Sequence, residues 1–154
     1  MDNPEVFKFF PIPIFKYSFE KFREFNDDLS NYIYTLHKED NIGVKRSNRG
    51  GWHSKTFEMK DKNSTQFKFA IELQKYILKT FRTLGWKTED QNIRIREMWA
   101  IINKKQNFNV VHTHPNSLLS AAYYVRAPKN CGRFQFEDLN IAKRHSSPSI
   151  SNKN

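Results

Sequence analysis

An α+β fold is what the sequence predicts, and three observations carry the prediction. The N-terminal half holds two stretches of helical apolar period, the period changes to two after Trp86, and 154 residues suit one domain. Strands that follow one another through short turns form an antiparallel sheet, so the two N-terminal helices should pack on one side of it. With 14 Phe, and aromatic residues making up 15% of the chain, the core should be rich in rings.

The elements follow in order. Residues 6–17, VFKFFPIPIFKY, alternate loosely around Pro11 and Pro13. Proline has no N–H to donate to a ladder, which predicts an edge strand or an extended arm. Ser18 is the expected N-cap of a first helix, because Phe19, Phe22, Phe25, Leu29, Ile33 and Leu36 recur at three- and four-residue steps. The polar segment NIGVKRSNRGGWHS (41–54) reads as a loop. A second helix should start at Ser64 or Thr65, present Phe67, Ile71, Ile77 or Leu78, Phe81 and Leu84 on one face, and stop at Gly85.

Beyond Trp86, NIRIREMWAII (92–102) puts Ile93, Ile95, Trp99 and Ile101 on one face and Arg94, Arg96 and Met98 on the other, as a strand does. Leu118–Arg126 reads as a second strand, and GRFQF (132–136) starts a third with Phe134 and Phe136 on one side. From Ile141 the chain turns polar and Ser-rich, which predicts a disordered tail over 141–154 behind a folded unit of 1–140.

Composition narrows the setting. Cys131 is the only cysteine, so there is no internal disulfide and no Cys-rich zinc site, and a reducing, cytoplasmic location is expected. The first 15 residues lack the basic start, apolar run and cleavage site of a signal peptide. No apolar run approaches the ~18 residues of a membrane span. The net charge of +10 has two readings, a nucleic-acid partner or a Lys-rich solvated surface; basic residues occur only in short pairs such as Lys45–Arg46 and Lys143–Arg144.

His112 and His114 are the candidates for chemistry. In an extended segment, residues i and i+2 share a face about 6.6 Å apart, so two imidazoles can converge on one ion. A mononuclear iron oxygenase uses such a pair together with a distant third ligand, leaving one side of the metal open. The alternative is a solvent-facing loop whose two histidines do nothing. A cupin would add a glutamate four or five residues on, where the chain has NSLLS. No phosphate-binding glycine pattern or nucleophile elbow occurs, and Cys131 sits in a turn, KNCGR, with no catalytic company.

Several stretches, taken in order, carry a resemblance. FPIPIF, SNRGGWHS (47–54), MWAIINKKQNFN, HTHPNSLLSAAYYV and APKNCGRFQFED together resemble the 2-oxoglutarate- and iron(II)-dependent oxygenases related to the prolyl hydroxylases, many of them phage-encoded. The likeness spans about residues 6–140. It implies a double-stranded β-helix (jelly roll), present here only as its N-terminal two-thirds, with Fe(II) and 2-oxoglutarate as cofactors. His112 matches the first iron ligand, and His114 stands where the family has aspartate or histidine as the second. A histidine there brings no negative charge, which leaves the metal's identity open.

Tyr124 matches the tyrosine that hydrogen-bonds the far carboxylate of 2-oxoglutarate. Ser120 shares its face, and the small Ala122 between them leaves room for the cosubstrate. Plain strand packing is the other reading of Tyr123 and Tyr124, and at most one of the two can serve the site. The family's distal histidine and its basic partner for 2-oxoglutarate are expected well beyond GRFQFED; His145, in KRHSSPS, has no strand pattern to hold it, and Arg126 and Arg133 read as surface residues. The resulting expectation is a dioxygenase-like hydroxylase (an oxidoreductase) of unidentified substrate, incomplete alone, with a second chain or a homodimer completing the fold. The alternative is a non-catalytic basic module that pairs with another chain or with nucleic acid. No membrane contact is expected.

Overall fold

The structure, a computed structural model, describes residues 12–89 and 91–137. Its elements run α1 (Phe22–Glu39), β1 (Asn48–Arg49), β2 (Trp52–His53), α2 (Thr65–Thr83), β3 (Ile101–Ile102) and β4 (Phe108–Asn109). The arrangement is mixed α+β. The double-stranded β-helix that the resemblance implies is not displayed by the described residues.

Helix α1 begins three residues later than Ser18 as N-cap would require. A turn with Phe22 N–H donating to the Phe19 carbonyl precedes it, and Lys21 caps without a side-chain bond. The reason is Phe19 itself, which is buried and turned into a ring cluster with Phe25, Phe69, Tyr76 and Tyr123 instead of riding on the helix face. Helix α2 starts after Ser64 as its sequence suggests, although the Ser64 hydroxyl is spent on the Asp61 carbonyl and makes no cap bond. Its end is a Schellman motif. Gly85 takes φ +71, Gly85 N–H donates to the Arg82 carbonyl, Trp86 N–H donates to the Phe81 carbonyl, and the Trp86 ring packs edge-on to Phe81 at 5.0 Å.

The strands depart most from expectation. Segment 41–54, predicted as loop, supplies β1 and β2. Strand β1 pairs antiparallel with β4 (Asn48↔Asn109, Arg49↔Phe108), and β2 pairs with β3 (Trp52↔Ile102, His53↔Ile101). Between the two pairings, Gly50 and Gly51 lie against the turn 103–107: a Cβ on Gly51 would collide with the Asn103 side chain, and one on Gly50 with Asn107. The absence of a side chain at both positions leaves room for those two amides, and Gly50 takes φ +77, which favours glycine.

The long strand predicted over 92–102 is reduced to β3, with Ala100 and Met98 still accepting from Ser54 and Phe57 N–H. At 98–102 the two faces divide as expected, and the side of Met98 is the one that is packed. Met98, Ala100 and Ile102 pack toward the helices, whereas Ile101 is exposed and Trp99 turns the other way. Leu118–Arg126 and 132–136 form no strand, since no described segment offers them a backbone ladder. Phe134 and Phe136 do share a side, with ring centroids 4.9 Å apart, but both are exposed.

The core consists of two clusters. Phe19, Leu29 and Phe69 form one, with Tyr123 and Val125 packed against it; Trp52, Phe57 and Ala100 form the other, against Tyr32, Ile33 and Leu36 of α1. Residues 12–17 join no ladder, and Tyr17 instead reaches α2 through Thr80 Oγ1 at 3.1 Å. The first half of the predicted arm, the tail 141–154 and His145 lie outside the described residues. Among those described, no helix is long and apolar enough to cross a membrane.

Candidate metal centre

The site is built by the β1–β4 pairing and the residues that follow it. Val110 N–H donates to the Ser47 carbonyl, which extends the ladder by one bond and sets Ser47 beside the chain as it leaves for His112. Asn109 Nδ2 donates to Ser47 Oγ at 2.9 Å, so the Ser47 hydroxyl proton is free to point at His112 Nε2, 3.4 Å away.

The chain then folds back on itself and fixes both rings. His112 Nδ1 lies 2.8 Å from the Val110 carbonyl. A carbonyl only accepts, so Nδ1 carries the proton and Nε2 presents a lone pair. His114 Nδ1 lies 2.9 Å from Ser120 Oγ, and a Cα spacing of six residues is bridged by the turn at Pro115–Asn116, where Asn116 takes φ +60. The two Nε2 atoms come within 3.1 Å of each other. His112 is exposed and His114 half-buried.

Trp99 closes one side. Its ring stands edge-on to His114 at 5.4 Å and stacks on His53 at 5.5 Å and 13°. His53 is buried, with Nδ1–H donating to the Ser54 carbonyl at 2.7 Å, and burial holds its pKa below the usual imidazole value. Sequence reasoning gave neither Trp99 nor His53 a part here. Their association depends on the β2–β3 register, and the only prior signal was the unexplained GGWHS stretch.

Two neutral imidazoles facing each other at 3.1 Å have two options. One can donate its Nε2–H to the other, which requires Ser120 to donate to His114 Nδ1. Otherwise both Nδ1 atoms are protonated and two lone pairs face one point, an arrangement that a cation stabilises. Two metal–nitrogen bonds of about 2.1 Å at roughly a right angle place their nitrogens about 3 Å apart. The donor set therefore fits two adjacent positions of a metal. No group of three His, Cys, Asp or Glu side chains converges among the described residues, so a third protein ligand is not found there.

The two tyrosines part company. Tyr123 faces the core and its hydroxyl donates to Asn26 Oδ1 at 2.6 Å, with burial raising its pKa. Tyr124 is 56% exposed and makes no hydrogen bond or ring contact with His112, His114 or Ser120. Arg126 and Arg133 are exposed, and Cys131 is an exposed thiol in the turn closed by its N–H on the Pro128 carbonyl.

Residues 97–154 match the model of a protein family described as "Putative 2OG-Fe(II) oxygenase". The matched span contains both histidines, Ser120 and Tyr124, and excludes α1, α2 and the β1–β2 segment. No curated protein and no solved structure gave a match.

Proposed function

We propose that this chain carries part of a 2-oxoglutarate-dependent iron oxygenase centre, in which His112 and His114 are two cis ligands to Fe(II) through their Nε2 atoms. The observation that carries the reading is the 3.1 Å approach of those atoms while both Nδ1 atoms are held from behind. A second bond to each ligand ring fixes its direction, and on His112 the carbonyl fixes the tautomer as well, which is the usual support of a metal-bound histidine. The family match over residues 97–154 supports the choice of iron and 2-oxoglutarate among metals and cosubstrates.

When bound, the metal and 2-oxoglutarate supply oxygen activation for C–H hydroxylation; the chain's residues supply positioning. The Val110 carbonyl and Ser120 Oγ orient the two rings, and Trp99 shields His114 from water on one side. Ser120, expected on the cosubstrate, is engaged by His114, so we assign it to the ring first. Tyr124 is left with an exposed hydroxyl that can donate to a cosubstrate carboxylate. A third donor comes from outside the described residues, either along this chain or from a second one that pairs with it.

Anaerobic calorimetry of 2-oxoglutarate binding, with and without Fe(II), tests the proposal. Binding should require the metal and should be lost in His112→Ala. Ser120→Ala should weaken the metal by about tenfold while leaving thermal stability unchanged. Binding of 2-oxoglutarate that ignores both the metal and His112 would refute the assignment.

A further inference from the structure

Charge is segregated in this chain in a way that short basic pairs conceal. Segments 41–57 and 98–136 contain no Asp or Glu at all, although the chain has 16. These are the two segments that the β1–β4 and β2–β3 pairings bring together. Lys45, Arg46 and Arg49 lie on the segment that leads into and includes β1, and Lys104 and Lys105 on the turn between β3 and β4, against which Gly50 and Gly51 lie. None of the five is ion-paired with another described residue, and all are exposed. Arg49 Nη1 is instead spent on the carbonyls of Arg46 and Asn48, which holds its side chain against the strand.

Three further features surround this basic lip. Phe108, directly opposite Arg49 in the ladder, is 56% exposed. A cleft of about 370 Å³, lined by Ile42, Lys45, Asn48, Arg49, Gly50 and Gly51, opens beside it, and the two glycines leave its floor without side chains. Ser47, next to Arg46, touches His112, so the lip runs directly into the imidazole pair.

We infer that this lip binds a single strand of nucleic acid, with phosphates on Lys45, Arg46, Arg49, Lys104 and Lys105 and a base on the exposed Phe108 ring. Unpaired cations along a strand track a phosphate backbone, and an exposed aromatic offers a stacking surface that a single strand can use and a duplex cannot. A small dicarboxylate would not need cations spread over two chain segments. The surface exists whether or not a metal occupies the histidine pair, so the inference stands apart from the oxygenase reading.

Fluorescence anisotropy of the full, chelator-treated chain with a labelled 20-mer of single-stranded DNA tests it. If all five cations contact phosphates, log K should fall against log salt with a slope of roughly −3.5, from about −0.7 per phosphate. Replacing Lys45, Arg49, Lys104 and Lys105 by Ala should reduce affinity at least tenfold. A control that removes the same charge at Lys38, Lys62, Lys68 and Lys87, with circular dichroism confirming that both variants fold, should stay within twofold. Equal losses in the two variants would overturn the inference. So would a duplex bound as tightly as the single strand, or binding to phosphatidylserine vesicles with none to the oligonucleotide.

Discussion

Tyr123 and Tyr124 are neighbours in the chain with opposite surroundings. The Tyr123 ring packs at 4.9 Å from Phe69 and 5.4 Å from Phe19, and its hydroxyl is bound to α1 through Asn26. Tyr124 faces away and is exposed. The same division holds at 98–102, where Met98, Ala100 and Ile102 meet the helices while Trp99 meets His53 and His114. Alternation along an extended chain therefore separates two jobs: one side closes the apolar core, and the other is left open to hold imidazoles in fixed directions.

The comparison breaks most visibly from the core side. Leu29 is 2% exposed, and Leu29→Ala should destabilise by about 2–5 kcal/mol in chemical denaturation. Metal affinity of the folded fraction should not change. A loss of affinity matching the loss of stability would show that the two sides are one cooperative unit.

The tyrosine pair sharpens the contrast. Tyr123→Phe removes a part-buried hydrogen bond to Asn26 Oδ1, so it should cost about 1 kcal/mol. Tyr124→Phe should cost less than about 0.5 kcal/mol, as surface changes do. Urea titrations of the two variants decide it, and equal costs would contradict the assignment of faces.

The smallest effect is a pH dependence from His53. Burial keeps its folded pKa below the ordinary 6.5, so on acidification the unfolded chain takes up the proton first. Its contribution is complete above that ordinary value and declines as pH falls below it. In His53→Gln the stability profile below pH 6.5 should be flatter than in the parent chain.

How much of this was legible in the sequence depended on which kind of information was needed. The helices could be read because their signals are local: the three- and four-residue apolar steps, and Gly85 with Trp86 packing back on Phe81. The strands were overextended because alternation reveals faces but not whether a partner backbone lies within reach, as 118–126 and 132–136 show. Segment 41–54 was misread for the opposite reason, since its polar residues and paired glycines hide a ladder made possible by close approach to 103–107. At the site, His112 and His114 could be paired from their spacing and their rings do meet, whereas parity set Ser120 beside Tyr124 and the structure joins it to His114. The Trp99–His53 wall was not visible, because it exists only once Trp52–His53 is in register with Ile101–Ile102.

The central claim is that two Nε2 atoms, held at 3.1 Å, act together on one ion. Cobalt(II) titration followed by visible absorption tests it most directly, in the parent chain and in His112→Ala and His114→Ala. The account predicts one site in the parent chain and a loss of at least about tenfold in affinity in each variant, since either removal breaks the pair. Equal cobalt binding in all three proteins would contradict it.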